Sequence, residues 1–89
     1  MSEMTKLRKA LDSAGIKWQD YSSYTAGAYI ERTRFINKYG EECSVICGDW
    51  TYGGPVLLES MPPVNHYSDD FKDEVEGYLE ADEIIAAWI

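Results

Sequence analysis

Asn37-Lys38-Tyr39-Gly40 separates two runs of strand-forming residues, and no other feature restricts the fold of this chain as tightly. Residues 29–36 before it and 42–47 after it are rich in β-branched and aromatic side chains, which fit a pleated surface. Asn and Gly between them supply turn chemistry, so the runs are expected to pair as an antiparallel hairpin. Arg32 and Arg34 fall on one face of its first strand. An inward charge there would be costly unless paired, and Glu41 or Glu42 offers a cross-strand partner. Gly48 and Gly53-Gly54 then punctuate the aromatic segment Trp50-Thr51-Tyr52, and residues 56–61 read as a further strand ended by Pro62-Pro63. The result is a three-stranded meander.

Helical periodicity brackets this meander. Met4, Leu7, Ala10, Leu11 and Ala14 recur at three- and four-residue spacing, which predicts an amphipathic helix over 3–14 closed by Gly15. Residues 22–27 have turn composition and no apolar period, so they read as a loop after a short extended piece at 16–18. In the tail, a single helix capped by Ser68 with Phe71, Val75, Tyr78, Leu79 and Ile85 as its stripe is interrupted by Gly77 and slips at Asp82. The preferred reading is a short strand over 74–79 and a separate helix over 81–88, whose first-turn Asp82 and Glu83 complement the helix dipole. Residues 1–89 thus form a single compact α+β domain: N-terminal helix, antiparallel three- to four-stranded meander, C-terminal helix. Ile84, Ile85, Trp88 and Ile89 are expected to join its core. Left in water they would make a sticky patch, through which the chain would pair as a homodimer instead.

Charge is distributed unevenly along the chain. Through Leu58 seven acids are matched by seven bases, whereas from Glu59 onward nine acids face only Lys72, so the last third carries the whole net charge of −8. Such a segment attracts basic surfaces and disfavours phosphate backbones, which points to a basic protein partner and away from direct nucleic-acid binding. Asp69, Asp70, Asp73, Glu74 and Glu76 are the candidate partner-facing residues. Three Trp and seven Tyr are many for this length. Core filling is expected to take about two-thirds of the aromatics, since each buries a large area. No run of about 20 apolar residues and no secretory signal is present, so the expectation is a cytoplasmic protein without a membrane contact.

The residues capable of chemistry do not assemble into a recognisable set. Cys43 and Cys47, four apart on a strand, would point to one face roughly 13 Å apart, too far for a disulfide, and read as buried reduced thiols. With the lone His66 they complete no metal-ligand spacing. Gly53-Gly54 precedes Pro55 and no helix, so it reads as a tight turn rather than a phosphate loop. No strand-Ser-helix elbow is present, and Asp69-Asp70 and Asp73-Glu74-Glu76 read as solvated faces without calcium-loop spacing. The expectation is a protein that is not an enzyme and takes no cofactor. The alternative is a small nucleotide-sequestering pocket, with Arg32 or Arg34 holding phosphate and Trp50, Tyr52 or Tyr67 stacking on a base.

Gly15-Ile16-Lys17-Trp18-Gln19-Asp20, Glu31-Arg32-Thr33-Arg34-Phe35, Ser44-Val45-Ile46-Cys47-Gly48, Thr51-Tyr52-Gly53-Gly54 and Leu57-Leu58-Glu59-Ser60-Met61 follow one another in an order that resembles small uncharacterised phage and prophage proteins of Gram-positive bacteria. The likeness spans most of the chain. Those proteins tend to end in Gly-x-Leu-Thr-Ala-Glu-Glu, similar to Gly77-Tyr78-Leu79-Glu80-Ala81-Asp82-Glu83, with Glu80 where the helix-capping Thr would stand. The resemblance implies a genomic setting and carries no activity. By analogy with short acidic phage proteins, it suggests an anti-CRISPR-like inhibitor whose acidic surface mimics nucleic acid on a basic host defence protein.

Overall fold

The computed structural model of the protein describes residues 1–65 and 74–89. Of the residues singled out from the sequence, His66, Tyr67, Ser68, Asp69, Asp70, Phe71, Lys72 and Asp73 lie outside that description. Eight elements follow in chain order: α1 (Glu3–Ser13), β1 (Trp18–Asp20), β2 (Ser23–Thr25), β3 (Ala28–Ile36), β4 (Glu42–Cys47), β5 (Leu58–Met61), β6 (Glu76–Leu79) and α2 (Ala81–Trp88). The fold is α+β, with a helix at each end of an antiparallel sheet.

Local chemistry sets the helix ends. The Ser2 side chain accepts from the Thr5 N–H at 3.1 Å, satisfying one donor that the first turn leaves free. At the other end Ile16 N–H reaches Leu11 O and Gly15 N–H reaches Asp12 O, the paired bonds of a Schellman motif. α2 is capped by Glu80, whose N–H donates to the Glu83 carboxylate at 2.9 Å, so an acid serves as the N-cap residue. Its last turn is closed from outside, because Trp88 O accepts from Lys38 N–H in the β3–β4 turn at 3.0 Å. That turn is itself built by Asn37, whose Oδ1 accepts from both Tyr39 and Glu41 N–H.

Strands β3, β4, β5 and β6 form the expected meander, with Phe35 opposite Cys43, Val45 opposite Ser60 and Leu58 opposite Leu79. β1 and β2 add to the free edge of β3, which corrects the reading of 22–27 as a loop and shifts the extended piece from 16–18 to Trp18–Asp20. Ser23–Thr25 is exposed throughout, so it shows no apolar alternation. It is a strand because the positive φ at Ala26 and Gly27 makes a two-residue hairpin turn that carries Thr25 opposite Ala28.

Both helices cover one face of the sheet. Met4, Leu7 and Leu11 of α1 and Ala81, Ile84 and Trp88 of α2 pack with Phe35, Cys43, Val45, Cys47, Leu58 and Leu79. The C-terminal helix is therefore part of the core. Arg8 ties α1 to the strands: its Nε donates to buried Thr33 at 2.8 Å, its guanidinium meets Asp20 at 3.3 Å, and it lies over the Trp18 ring. Asp20 is held below the usual carboxylate range by hydrogen bonds from Ser22, with Arg8 adding to them.

Candidate interaction surface

The sheet face opposite the helices carries the arginines singled out in the sequence. Register places Tyr21, Arg32, Arg34, Ser44, Ile46, Glu59 and Met61 on that side, since Thr33, Phe35 and Val45 face the helices. Burial along β3 changes sides: Ala28 and Ile30 are buried at one end, Thr33 and Phe35 at the other. Ile30 lies beside Trp50 and Thr51 of the 48–57 loop, which shields this end of β3 on the side away from the helices.

Two shallow depressions of about 190 Å³ each meet at Arg32 and Ile46 on this face. Trp50 and Tyr21 line the first, and Arg34, Glu59, Met61 and Val75 line the second. Arg32, Arg34 and Trp50 are thus brought together, whereas Tyr52 lines neither. Arg34 is already engaged, by the Glu42 carboxylate at 2.9 Å and by the Tyr21 ring 5.2 Å from its guanidinium carbon, so the cross-strand pairing read from the sequence is present. Each depression falls short of the roughly 300 Å³ at which small-molecule sites begin.

The acidic residues around the start of α2 are fixed by hydrogen bonds. Glu76, a candidate partner residue, accepts from Val64 N–H at 2.9 Å and from the Asn65 N–H and side-chain amide at 2.8 Å each. The same Asn65 amide reaches Glu83 at 3.4 Å. Glu3 accepts from Ala81 N–H at 2.8 Å, which with the Lys6 ammonium 3.0 Å away holds its carboxyl below the usual range. Glu74, Glu80 and Asp82 are exposed beside them. Asp69, Asp70 and Asp73 lie outside the described residues.

The aromatic residues depart most from expectation. All six described tyrosines and Trp50 are exposed, and among the described aromatics only Phe35 and Trp88 are buried. The expected two-thirds share in the core is therefore corrected: Leu, Ile, Met and Val side chains with the two thiols fill most of it. Tyr24 and Tyr29 contact each other, Tyr39 meets Trp88 and Lys38, and Tyr21 meets Arg34. Trp50, Tyr52 and Tyr78 have no ring or cation against them among the described residues. Tyr78 is absent from the sequence-based set; nothing in the local sequence marks its φ of 59° or its exposure.

Both thiols are buried and free. Burial pushes Cys43 up to about 12 and raises Cys47 as well, so at neutral pH they are protonated and poor nucleophiles or metal ligands. Among the described residues no group of three His, Cys, Asp or Glu side chains could hold a metal ion, and no helix is long and apolar enough to cross a membrane. No family model, curated protein or solved structure matches this chain.

Proposed function

We propose that this protein is a non-catalytic binding protein that presents an acidic surface to a basic protein partner. In the phage setting that its sequence resembles, the partner is a nucleic-acid-binding defence protein of the bacterial host, met in the cytoplasm and inhibited because the carboxylates occupy its nucleic-acid site. The observation that carries this reading is the fixed array around the start of α2. Carboxylates of Glu3, Glu76 and Glu83 are pinned by backbone and Asn65 donors, and Glu74, Glu80 and Asp82 stand exposed beside them. A mimic of a phosphate row needs negative charges at set positions, and charges already held in place lose less freedom on binding than mobile ones do. The backbone and Asn65 donors to Glu76 and Glu83 carry no charge, so these bonds do not themselves cancel the negative field.

The test is capture from lysate of a bacterial host followed by competition. The bound protein should be released by added duplex or single-stranded nucleic acid and by rising salt, because both act on the same basic surface. Changing Asp69, Asp70, Asp73 and Glu74 to Asn and Gln should weaken capture with the fold intact. A partner that nucleic acid does not displace, and that the neutralised variant still binds, contradicts the reading.

A further inference from the structure

Three exposed aromatics meet no ring and no cation among the described residues, and all three belong to one junction. Trp50 and Tyr52 lie on the 48–57 loop, and Tyr78 lies on β6, whose backbone the loop touches: Tyr78 N–H donates to Tyr52 O at 3.0 Å. The approach is close enough that a Cβ on Gly77 would overlap the Tyr52 Cβ, so only glycine fits there. Glu59 holds the other side of the loop by accepting from Tyr52 N–H at 3.0 Å. Opposite Glu59 the β5–β6 register slips, which leaves Gly77 and Tyr78 as a bulge.

Tyr78 adopts a φ of 59° with its side chain 68% exposed. A left-handed residue with a Cβ is costly, and glycine would fit the same backbone without that cost. Nothing in the core needs the ring, since it lies in water. A strained position that holds an exposed aromatic is a mark of a contact surface, where tyrosine and tryptophan supply much of the binding energy. Charge narrows what that contact takes. Glu59 accepts from the Tyr52 N–H, and Glu76 and Glu80 lie two residues to either side of Tyr78, so these two rings stand among carboxylates, whereas Trp50 shares a depression with Arg32. The face of an aromatic ring attracts cations, and nearby carboxylates add to the attraction.

We infer that Tyr52 and Tyr78 form the aromatic half of the partner surface and receive an arginine or lysine side chain of the basic partner. This inference rests on the acidic reading above and gives it a second set of contact residues. The probe is nona-arginine, titrated into the full chain at physiological salt while the aromatic resonances are followed by NMR. Ring signals of Tyr52 and Tyr78 should shift. Tyr78→Gly and Tyr52→Leu should each weaken binding about fivefold, and Tyr78→Gly should melt no lower than the parent chain, which separates a lost contact from a lost fold. Binding that is weakened by Glu74→Gln with Asp82→Asn but is unchanged in both tyrosine variants overturns the aromatic contact and leaves the acidic surface standing. Binding that is indifferent to the carboxylates overturns the acidic reading, and this inference with it.

Discussion

The helix-covered face of the sheet and the junction of the 48–57 loop with β6 use their residues in opposite ways. On the helix side, the buried Thr33 and Asn37 are tied into the fold: Thr33 accepts from Arg8 and contacts Met4 Sδ, and Asn37 Nδ2 reaches Cys43 Sγ. At the junction, three large rings meet no ring or cation among the described residues, and one stands on a left-handed backbone. The first region contributes stability and the second spends some of it. Such a division is expected of a small binding protein, whose limited core must be well satisfied before its surface can carry strained or sticky side chains.

The largest blow to the first region is Trp88→Ala. Trp88 is 3% exposed at the centre of the contact between α2 and the β3–β4 turn, and truncating such a side chain costs about 3–5 kcal/mol. The melting temperature should fall by roughly 10–40 °C, or the chain should fail to fold. A chain lacking residues 84–89 that melts like the full one, but no longer self-associates, would show that these side chains make an interface instead.

A smaller loss separates structural from partner-facing acids. Glu76→Ala leaves the Val64 and Asn65 N–H groups without this acceptor and should destabilise by about 0.5–1.5 kcal/mol in chemical denaturation. Glu74→Gln, exposed and outside that network, should change stability by less than about 0.5 kcal/mol. Equal effects from the two would erase the distinction between them.

Tyr78→Gly should act in the reverse direction. Relief of the left-handed conformation, partly offset by the freer unfolded chain, gives a gain of about 1 kcal/mol. A clear loss in calorimetry would mean that the ring supports the fold, and the contrast between the two regions would fail there.

The smallest effect is acidic. Glu3 titrates below its ordinary 4.5 in the folded chain, mainly because Ala81 N–H binds its ionised form. Its contribution is present in full above that ordinary value and is lost as pH falls through the depressed one. Glu3→Gln should therefore lower stability slightly at neutral pH, while the two chains converge as pH falls through the depressed value, which flattens the profile. A profile of the same shape in both chains would show that the Ala81 contact is not made in solution.

These contrasts also show what could be read in advance. α1, the β3–β4 hairpin and α2 were legible because their apolar spacing and turn residues act locally, at Leu7, Asn37 and Ile84 for instance. β2 was not, because Ser23–Thr25 is an exposed edge whose pairing comes from the turn at Ala26. Burial of Cys43 and Cys47 followed from strand alternation, whereas the exposure of the tyrosines could not follow from composition, which counts rings without placing them. For the candidate site, Arg34 and Glu42 were legible as a cross-strand pair. Glu76 looked like one more solvated acid because its donors, on residues 64 and 65, come from the other side of the β5–β6 connection.

Hydrogen exchange of the protein, free and bound to the partner it captures, bears most directly on the claim that the acidic, aromatic end is where the partner sits. Amides of 48–57 and 74–83 should gain protection in the complex, while the outer face of α1 and the β2–β3 hairpin tip exchange as before. Protection gained on α1 or at the hairpin tip, with residues 48–57 and 74–83 unchanged, would contradict it.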